Sequence, residues 1–138
     1  MSRKAERYQR VYEQLKPLIE KSPNYISAMA TISSALYHKM DGFFWCGFYL
    51  VNEEILSVGP YQGSLACQIL QKPNGVCWSA IIENKTLIVD NVHEFPGHIA
   101  CDSRSNSEIV VPVYNSENKL FAVLDVDSTI YSHFDKID

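Results

Sequence analysis

The residue pattern predicts an α+β fold. Two amphipathic helical stretches come first, within residues 1–40, and short apolar runs punctuated by turn residues fill most of 41–138, with one further helical segment among them. That order is not the regular strand–helix alternation of a parallel sheet. The 138 residues suit a single domain with a real core, and 46% hydrophobic against 20% charged residues is the balance of an ordinary globular protein.

Residues 3–20 set Ala5, Tyr8, Val11, Tyr12, Leu15, Leu18 and Ile19 at helical spacing with charges between them. Pro17 is expected to bend or end this helix early, because it lacks an N–H and clashes with the preceding turn. Ser22-Pro23-Asn24 is the break, and Asn24 or Ser22 caps a second helix running to about Met40, with Ile26, Met29, Ala30, Ile32, Ser33, Leu36 and Tyr37 inward. Asp41-Gly42 turns the chain into Phe43–Val51, too short and too aromatic for a helix of this kind. Asn52-Glu53-Glu54 ends that run as a hairpin would, with Ile55–Val58 as partner strand, closed by Gly59-Pro60. After a turn at Tyr61-Gln62-Gly63, Leu65–Leu70 reads as a short strand carrying Cys67.

Beyond the Lys72–Gly75 loop, Val76, Ala80 and Ile81 recur at helical spacing. A short helix from about Gly75 to Asn84 therefore carries Cys77 near its start, where the helix dipole and free N–H groups lower a thiol pKa. Leu87–Val89, Glu108–Tyr114 and Lys119–Val126 are the remaining strands, the last two joined by a turn at Asn115-Ser116-Glu117-Asn118. Asp125 and Asp127 alternate around Val126, so both carboxylates face the same side of the sheet.

Between Leu87–Val89 and Ile109–Val113 lies a long polar stretch with His93, His98, Cys101, a Pro-Gly turn and an alternating serine run. A loop of that length between β-rich runs is more often functional than filler. Cys101, with Asp102 beside it and His98 three residues back, is a surface thiol able to ionise. Packing as a small apolar side chain is the other reading of a free cysteine, and the residues alone leave both open. The net charge of -4 argues against nucleic acid and anionic membranes, and no apolar run approaches the length of a membrane span.

The N-terminal MSRKAERYQR has no apolar segment behind its basic residues, so it does not read as an export signal, and a cytoplasmic location is expected. In a reducing compartment Cys46, Cys67, Cys77 and Cys101 rarely form permanent structural disulfides. No closely spaced cysteine pair exists among them, and Pro96-Gly97 forbids the helix that a paired-histidine zinc motif needs, so His93, His98 and Cys101 are not expected to hold a metal. Cys67, Cys77 and Cys101 each lie next to a turn or helix start. A catalytic thiol with resolving partners needs such thiols to meet around one pocket, and spacing alone does not show that they do.

Gly59-Pro60-Tyr61-Gln62-Gly63 with Ala66-Cys67, then Gly75-Val76-Cys77, DNVHEFPGHIACDSRSNSEIVVPV and Val123–Ser128, together resemble the free methionine-(R)-sulfoxide reductases, a GAF-fold family. Trp45-x-Gly47-Phe48-Tyr49-Leu50 is similar to the family's pocket strand, and the resemblance covers the chain from the second helix onward. It implies a single GAF-like domain over 1–138, with a central antiparallel sheet, the two N-terminal helices on one face and the loop 90–107 capping a pocket. By the same resemblance Cys101 would be the nucleophile on the sulfoxide sulfur, and Cys67 and Cys77 the resolving cysteines, either of which closes a disulfide with a sulfenic acid on Cys101. Glu108 would hold the substrate amino group, Asp125 and Asp127 would hold the substrate and assist protonation of the sulfoxide oxygen, and Trp45 and Tyr49 would wall the methylsulfinyl group. The family uses thioredoxin as reductant, with no metal or organic cofactor.

Residue chemistry supports these roles independently. A sulfoxide oxygen leaves as water only if protonated, and a buried carboxylate among other carboxylates has its pKa raised. Three acids at one site also favour a ligand with a free ammonium group. On the residues alone, strand-end surface charge competes with this reading for the acids, and plain core packing competes for Trp45 and Tyr49. Cys46 reads as packing.

Two departures from the family's pattern matter. Trp78 stands where a small glycine usually follows the second resolving cysteine. A displaced helix start would handicap Cys77, because a disulfide needs Cα atoms within roughly 7 Å; Cys67 is therefore expected to be the main partner of Cys101. The family's closing helix beyond Phe134–Asp138 is not in the chain, and sheet left uncovered there would favour a homodimer. A GAF ligand-binding or redox-sensor domain without turnover is the alternative function, sharing the pocket but not needing the acids and all three thiols.

Overall fold

In the computed structural model, which describes Met1–Asp138, the first helix α1 spans Arg3–Glu20 and is capped by Ser2, whose hydroxyl accepts from the Ala5 N–H at 3.1 Å. Pro17 does not end it early. Its missing N–H would have paired with the carbonyl of Glu13, and both residues lie on the exposed side, where that carbonyl is open to solvent. The buried stripe is narrower than the spacing implied: Val11 is 3% exposed, whereas Tyr12 and Leu18 are 57% and 54% exposed. Helix α2, Tyr25–Lys39, is capped by Asn24 rather than Ser22, with Oδ1 accepting from the Ser27 N–H at 2.9 Å. It buries Met29 and Ser33 but leaves Ile26 and Ala30 in solvent.

Strands β1 (Trp45–Asn52) and β2 (Ile55–Gln62) form a hairpin, its two-residue turn made by Glu53 in a left-handed conformation and Glu54. Gly59-Pro60 does not close β2. Gly47 pairs with Tyr61 and Tyr49 with Val58, so Gly59 and Pro60 together oppose Phe48 in a β-bulge, which accommodates a residue without an N–H. Strand β3 is only Ile69–Gln71, paired with the start of β2, so Cys67 lies on the loop before it rather than within a strand. Helix α3 spans Gly75–Glu83 and ends on Asn84 in a left-handed conformation. Strands β4 (Leu87–Val89), β5 (Ser107–Tyr114) and β6 (Leu120–Ser128) complete an antiparallel sheet of order β3-β2-β1-β6-β5-β4.

Alternation along the three central strands divides the molecule. Cys46, Ile109 and Val126 face one way and pack with Val11, Met40, Phe43 and Phe134 beneath α1 and α2. On the opposite face Tyr49, Val110 and Val123 form the second core, with Val76, Trp78 and Ala80 of α3 and Val92 of the long loop. The last turn is tied to α1: Tyr8 donates to Asp138 at 2.6 Å, and the Lys4 ammonium meets the same carboxylate at 2.6 Å. No helix is long and apolar enough to cross a membrane.

In native-state hydrogen exchange, amides of Gly47–Leu50 and Ala122–Val126 should be among the slowest, because they pair on both sides or lie under both cores. Loop-like exchange in those segments would contradict this architecture.

Candidate active site

Strand register assembles the site. Asp127 lies between Trp45 on β1 and Glu108 on β5, and Asp125 lies between Gly47 and Val110. Side chains directly opposite in an antiparallel pair share a face, so Trp45, Tyr49, Glu108, Asp125 and Asp127 all project to the side covered by α3 and the long loop. They line a cavity of about 600 Å³, counting its open mouth, together with Cys77, His98, Cys101 and Asp102.

Aromatic rings form one wall. Trp45 stacks on Tyr49 with centroids 5.8 Å apart and on Tyr61 at 5.2 Å. The Trp45 indole N–H donates to the Ser64 carbonyl at 3.0 Å, and the Tyr49 hydroxyl donates to the Cys67 carbonyl at 3.0 Å. Gly47 leaves the space in which this stack sits: a Cβ there would come within 2.2 Å of Tyr61 Cβ and 2.9 Å of the Trp45 ring. Tyr61 belongs to the Gly59–Gly63 motif, but the sequence assigns it no role in the site. It lies just beyond Gly59-Pro60, where the strand was expected to stop, and the bulge carries it opposite Gly47.

Acids form the floor. Glu108 and Asp125 are each 6% exposed, and Asp127 is half-buried at the cavity. Burial pushes the pKa of Glu108 well up, and the neighbouring Asp125 and Asp127 push it further. Asp127 is raised by the same burial and by Asp125, and Asp125 is raised by burial against the opposing effect of hydrogen bonds from Glu108 and Cys77. One oxygen of Asp125 is buried without a donor. No lysine or arginine lines the cavity.

The thiols separate into a pair and a single. Cys67 and Cys101 form a disulfide at the cavity mouth, with Cα atoms 5.4 Å apart; Cys101 is exposed and Cys67 half-buried. The Cys67 backbone is held by Tyr49 and by the adjoining bond from the Val58 N–H to the Gln68 carbonyl at 3.0 Å. Cys77 is a free, buried thiol on the floor. The lowered pKa expected from its helix-start position is overturned: burial, then the carboxyl groups of Asp125, Glu108 and Asp127, raise it well above the ordinary thiol value. The Trp78 indole beside it is buried in the same core and donates to the Leu70 carbonyl at 2.9 Å. Cys46 lies on the helix-covered face, where burial raises its thiol to about 12.

On the loop, Arg104 donates to both carboxylate oxygens of Asp102 at 3.0 and 2.7 Å, and this contact holds that carboxyl well below the usual range. The same guanidinium lies over the Phe44 ring, 4.8 Å from its centroid. His98 reaches the cavity and meets the His93 ring edge-on, with centroids 6.4 Å apart, while His93 bonds Asn106 at 2.8 Å and the Cys101 sulfur is taken up in the disulfide. The potential ligand atoms that do converge belong to Cys77, Glu108 and Asp125, within 4.8 Å of one another. A cation there would first have to displace the protons that burial favours.

An antiparallel sheet with two helices behind it, and in front an acid-floored aromatic pocket with a disulfide at its mouth, defines a GAF-type fold with an acid- and thiol-lined pocket. The GAF domain family matches residues 25–138. The free methionine-R-sulfoxide reductase of Escherichia coli is 37% identical over 95% of this chain and 79% of its own length. GAF domain-containing protein A of Dictyostelium discoideum is 46% identical over 98% of this chain and 85% of its own. The Neisseria meningitidis free methionine-R-sulfoxide reductase, solved in complex with its substrate, superposes with a TM-score of 0.93 at 36% identity, covering 100% of this chain and 83% of that one. The chain belongs to the GAF-domain family of free methionine-R-sulfoxide reductases.

Two measurements test the site's physics. Gly47→Ala should destabilise the protein by about 1–3 kcal/mol in urea unfolding, the usual range for forcing extra volume into a packed region. The second concerns Glu108, whose folded pKa lies above its unfolded value of about 4.3. The folded state therefore binds more protons than the unfolded state in the window above that value, and stability falls as pH rises through it. Glu108→Gln should raise Tm relative to the parent at pH 8, with the gap narrowing towards pH 5; a pH-independent gap would contradict the buried-acid assignment.

Proposed function

We propose that this protein reduces free L-methionine-(R)-sulfoxide to L-methionine through a thiolate–sulfenate–disulfide cycle. The observation that carries the reading is the redox pair Cys67–Cys101 at the mouth of a cavity whose floor is three carboxyl groups without a cation. The family relation supports the substrate class.

In this cycle the Cys101 thiolate attacks the sulfoxide sulfur while an acid of the floor protonates the oxygen. In the adduct the hydroxyl passes from the substrate sulfur to the Cys101 sulfur as the S–O bond and the new sulfur–sulfur bond break, so methionine leaves and Cys101 is left as a sulfenic acid. Cys67, as thiolate, then attacks the Cys101 sulfur, and the hydroxyl leaves as water with a proton from the site. Two thiols have become one disulfide, and the sulfoxide has gained two electrons. A dithiol reductant, for which thioredoxin is the expected partner, exchanges with the disulfide and restores both thiols. Exposure of Cys101 supports this access from solvent, and such a cycle belongs in the reducing cytoplasm.

The raised acids suit both tasks asked of them. A carboxyl group that retains its proton near neutral pH donates to the sulfoxide oxygen. One that ionises beside a bound ammonium regains favourable charge pairing, which selects a free amino acid over a residue whose nitrogen is an amide. Trp45 and Tyr49 supply the apolar surface for the methylsulfinyl end. Cys77 is the secondary resolving thiol; its depth among the acids makes it the slower nucleophile because little of it is thiolate.

The test is NADPH consumption with thioredoxin and its reductase when racemic free methionine sulfoxide is added. Cys101→Ser should abolish turnover, and Cys67→Ser should lower it at least about tenfold, whereas Cys77→Ser should retain most of it. Zero turnover by folded, reduced protein would favour a sensor, and preference for peptide-bound sulfoxide would overturn the substrate assignment. A dominant Cys77–Cys101 linkage after one equivalent of sulfoxide would reverse the roles of Cys67 and Cys77.

A further inference from the structure

We propose that the same pocket binds amino-acid sulfonium ions, such as S-methyl-L-methionine, as dead-end ligands held more tightly than neutral methionine. The inference rests on the sulfoxide reading above and extends it to a different ligand charge. Its starting point is charge balance. A bound amino acid is a zwitterion whose ammonium matches one carboxylate and whose own carboxylate adds a negative charge, yet Glu108, Asp125 and Asp127 all line the cavity and no lysine or arginine does. The floor thus has capacity for a second positive charge. Asp125 meets Glu108 and Cys77, which bring protons but no positive charge, and one of its oxygens is buried without a donor, so that capacity is not met from within the protein.

The position of the surplus is informative. Asp127 pairs in register with Trp45, and Trp45 and Tyr49 are the aromatic rings that line the cavity. Cys101 and Asp102 line the same cavity from the loop above. An acid beside electron-rich rings is the combination that recognises onium ions, through charge and through the ring quadrupole. Tyr61, stacked on Trp45, holds that ring in place.

Reaction chemistry explains why such a site would arise. Protonating the sulfoxide oxygen keeps the sulfur pyramidal and gives it a positive charge before the S–O bond breaks. A site that favours this species over the neutral sulfoxide lowers the barrier. A dimethylsulfonium has the same pyramidal shape and carries the charge permanently, with a second methyl where the oxygen would be. It has no oxygen to leave as water, so the reductive cycle has nothing to complete and the ligand only occupies the site.

Calorimetric titration of the whole reduced protein tests this with S-methyl-L-methionine against two neutral comparators, L-methionine and L-methionine sulfone. The sulfonium should bind at least about tenfold more tightly than either, the size expected when a cation meets an acid and an aromatic face away from bulk water. In the turnover assay it should compete with the sulfoxide. Asp127→Asn, isosteric at a half-buried position, should reduce the preference to about twofold or less. Sulfonium binding no tighter than methionine, or a preference that survives Asp127→Asn unchanged, would overturn the proposal. Turnover of free sulfoxide without sulfonium preference would overturn this inference alone. Absence of turnover would instead count against the enzymatic reading, while the titration would still report the pocket's charge preference.

Discussion

The register of β1, β6 and β5 is the constraint on which the site depends. Cys46, Val126 and Ile109 sit side by side on one face, and Trp45, Asp127 and Glu108 sit side by side on the other. A slip of one residue would exchange these sets, sending carboxyl groups beneath the helices and apolar side chains into the pocket. Burying each large apolar side chain under α1 and α2 is worth about 1.5–3 kcal/mol. That apolar core holds the register against the cost of placing three acids together. An unpaired buried carboxylate costs several kcal/mol, so the acids respond by keeping protons longer than they would in water.

The same arrangement separates what the thiols can do. Cys67 lies where the chain leaves the sheet, anchored through its carbonyl by Tyr49, and meets Cys101 at the rim. Cys77 begins α3 but is enclosed by the acids, and enclosure outweighs the helix dipole. The dipole's influence is a fraction of a unit charge at the first turn, whereas burial opposes the whole charge of a thiolate and each nearby carboxylate adds to it. Under the proposed cycle, the rim pair carries the exchange with a reductant, and the floor thiol is sheltered from it.

The acids and the aromatic wall also belong to one design. Tyr49 contributes its ring to the cavity and its hydroxyl to the backbone of Cys67, so one side chain links the pocket wall to the disulfide. Gly47 admits the Trp45–Tyr61 stack by having no side chain, and it does so at the register position opposite Asp125. The bulge at Gly59-Pro60 is what brings Tyr61 opposite Gly47. Small backbone features on β1 and β2 therefore shape the pocket as much as the residues that line it.

Much of the fold was legible in the chain itself because it rests on local signals. Helical spacing, the Asn24 cap, the turn at Glu53-Glu54 and the alternation of Asp125 with Asp127 each depend on residues close in sequence. The errors arose where distant packing decides. Pro17 was tolerated because its side of α1 faces water, and Tyr12, Leu18 and Ile26 stayed exposed because the helices bury narrower stripes than their apolar spacing implied. Gly59-Pro60 read as a strand end, but a partner strand absorbed it in a bulge. The residue types of the candidate site were visible through their motifs, while their meeting was not: Cys67 and Cys101 are separated by 34 residues in sequence. Periodicity records which way a side chain points within its own element. Only strand register and the cover of α3 and the long loop decide what it faces, and for Glu108, Asp125 and Cys77 those neighbours set how long each keeps its proton.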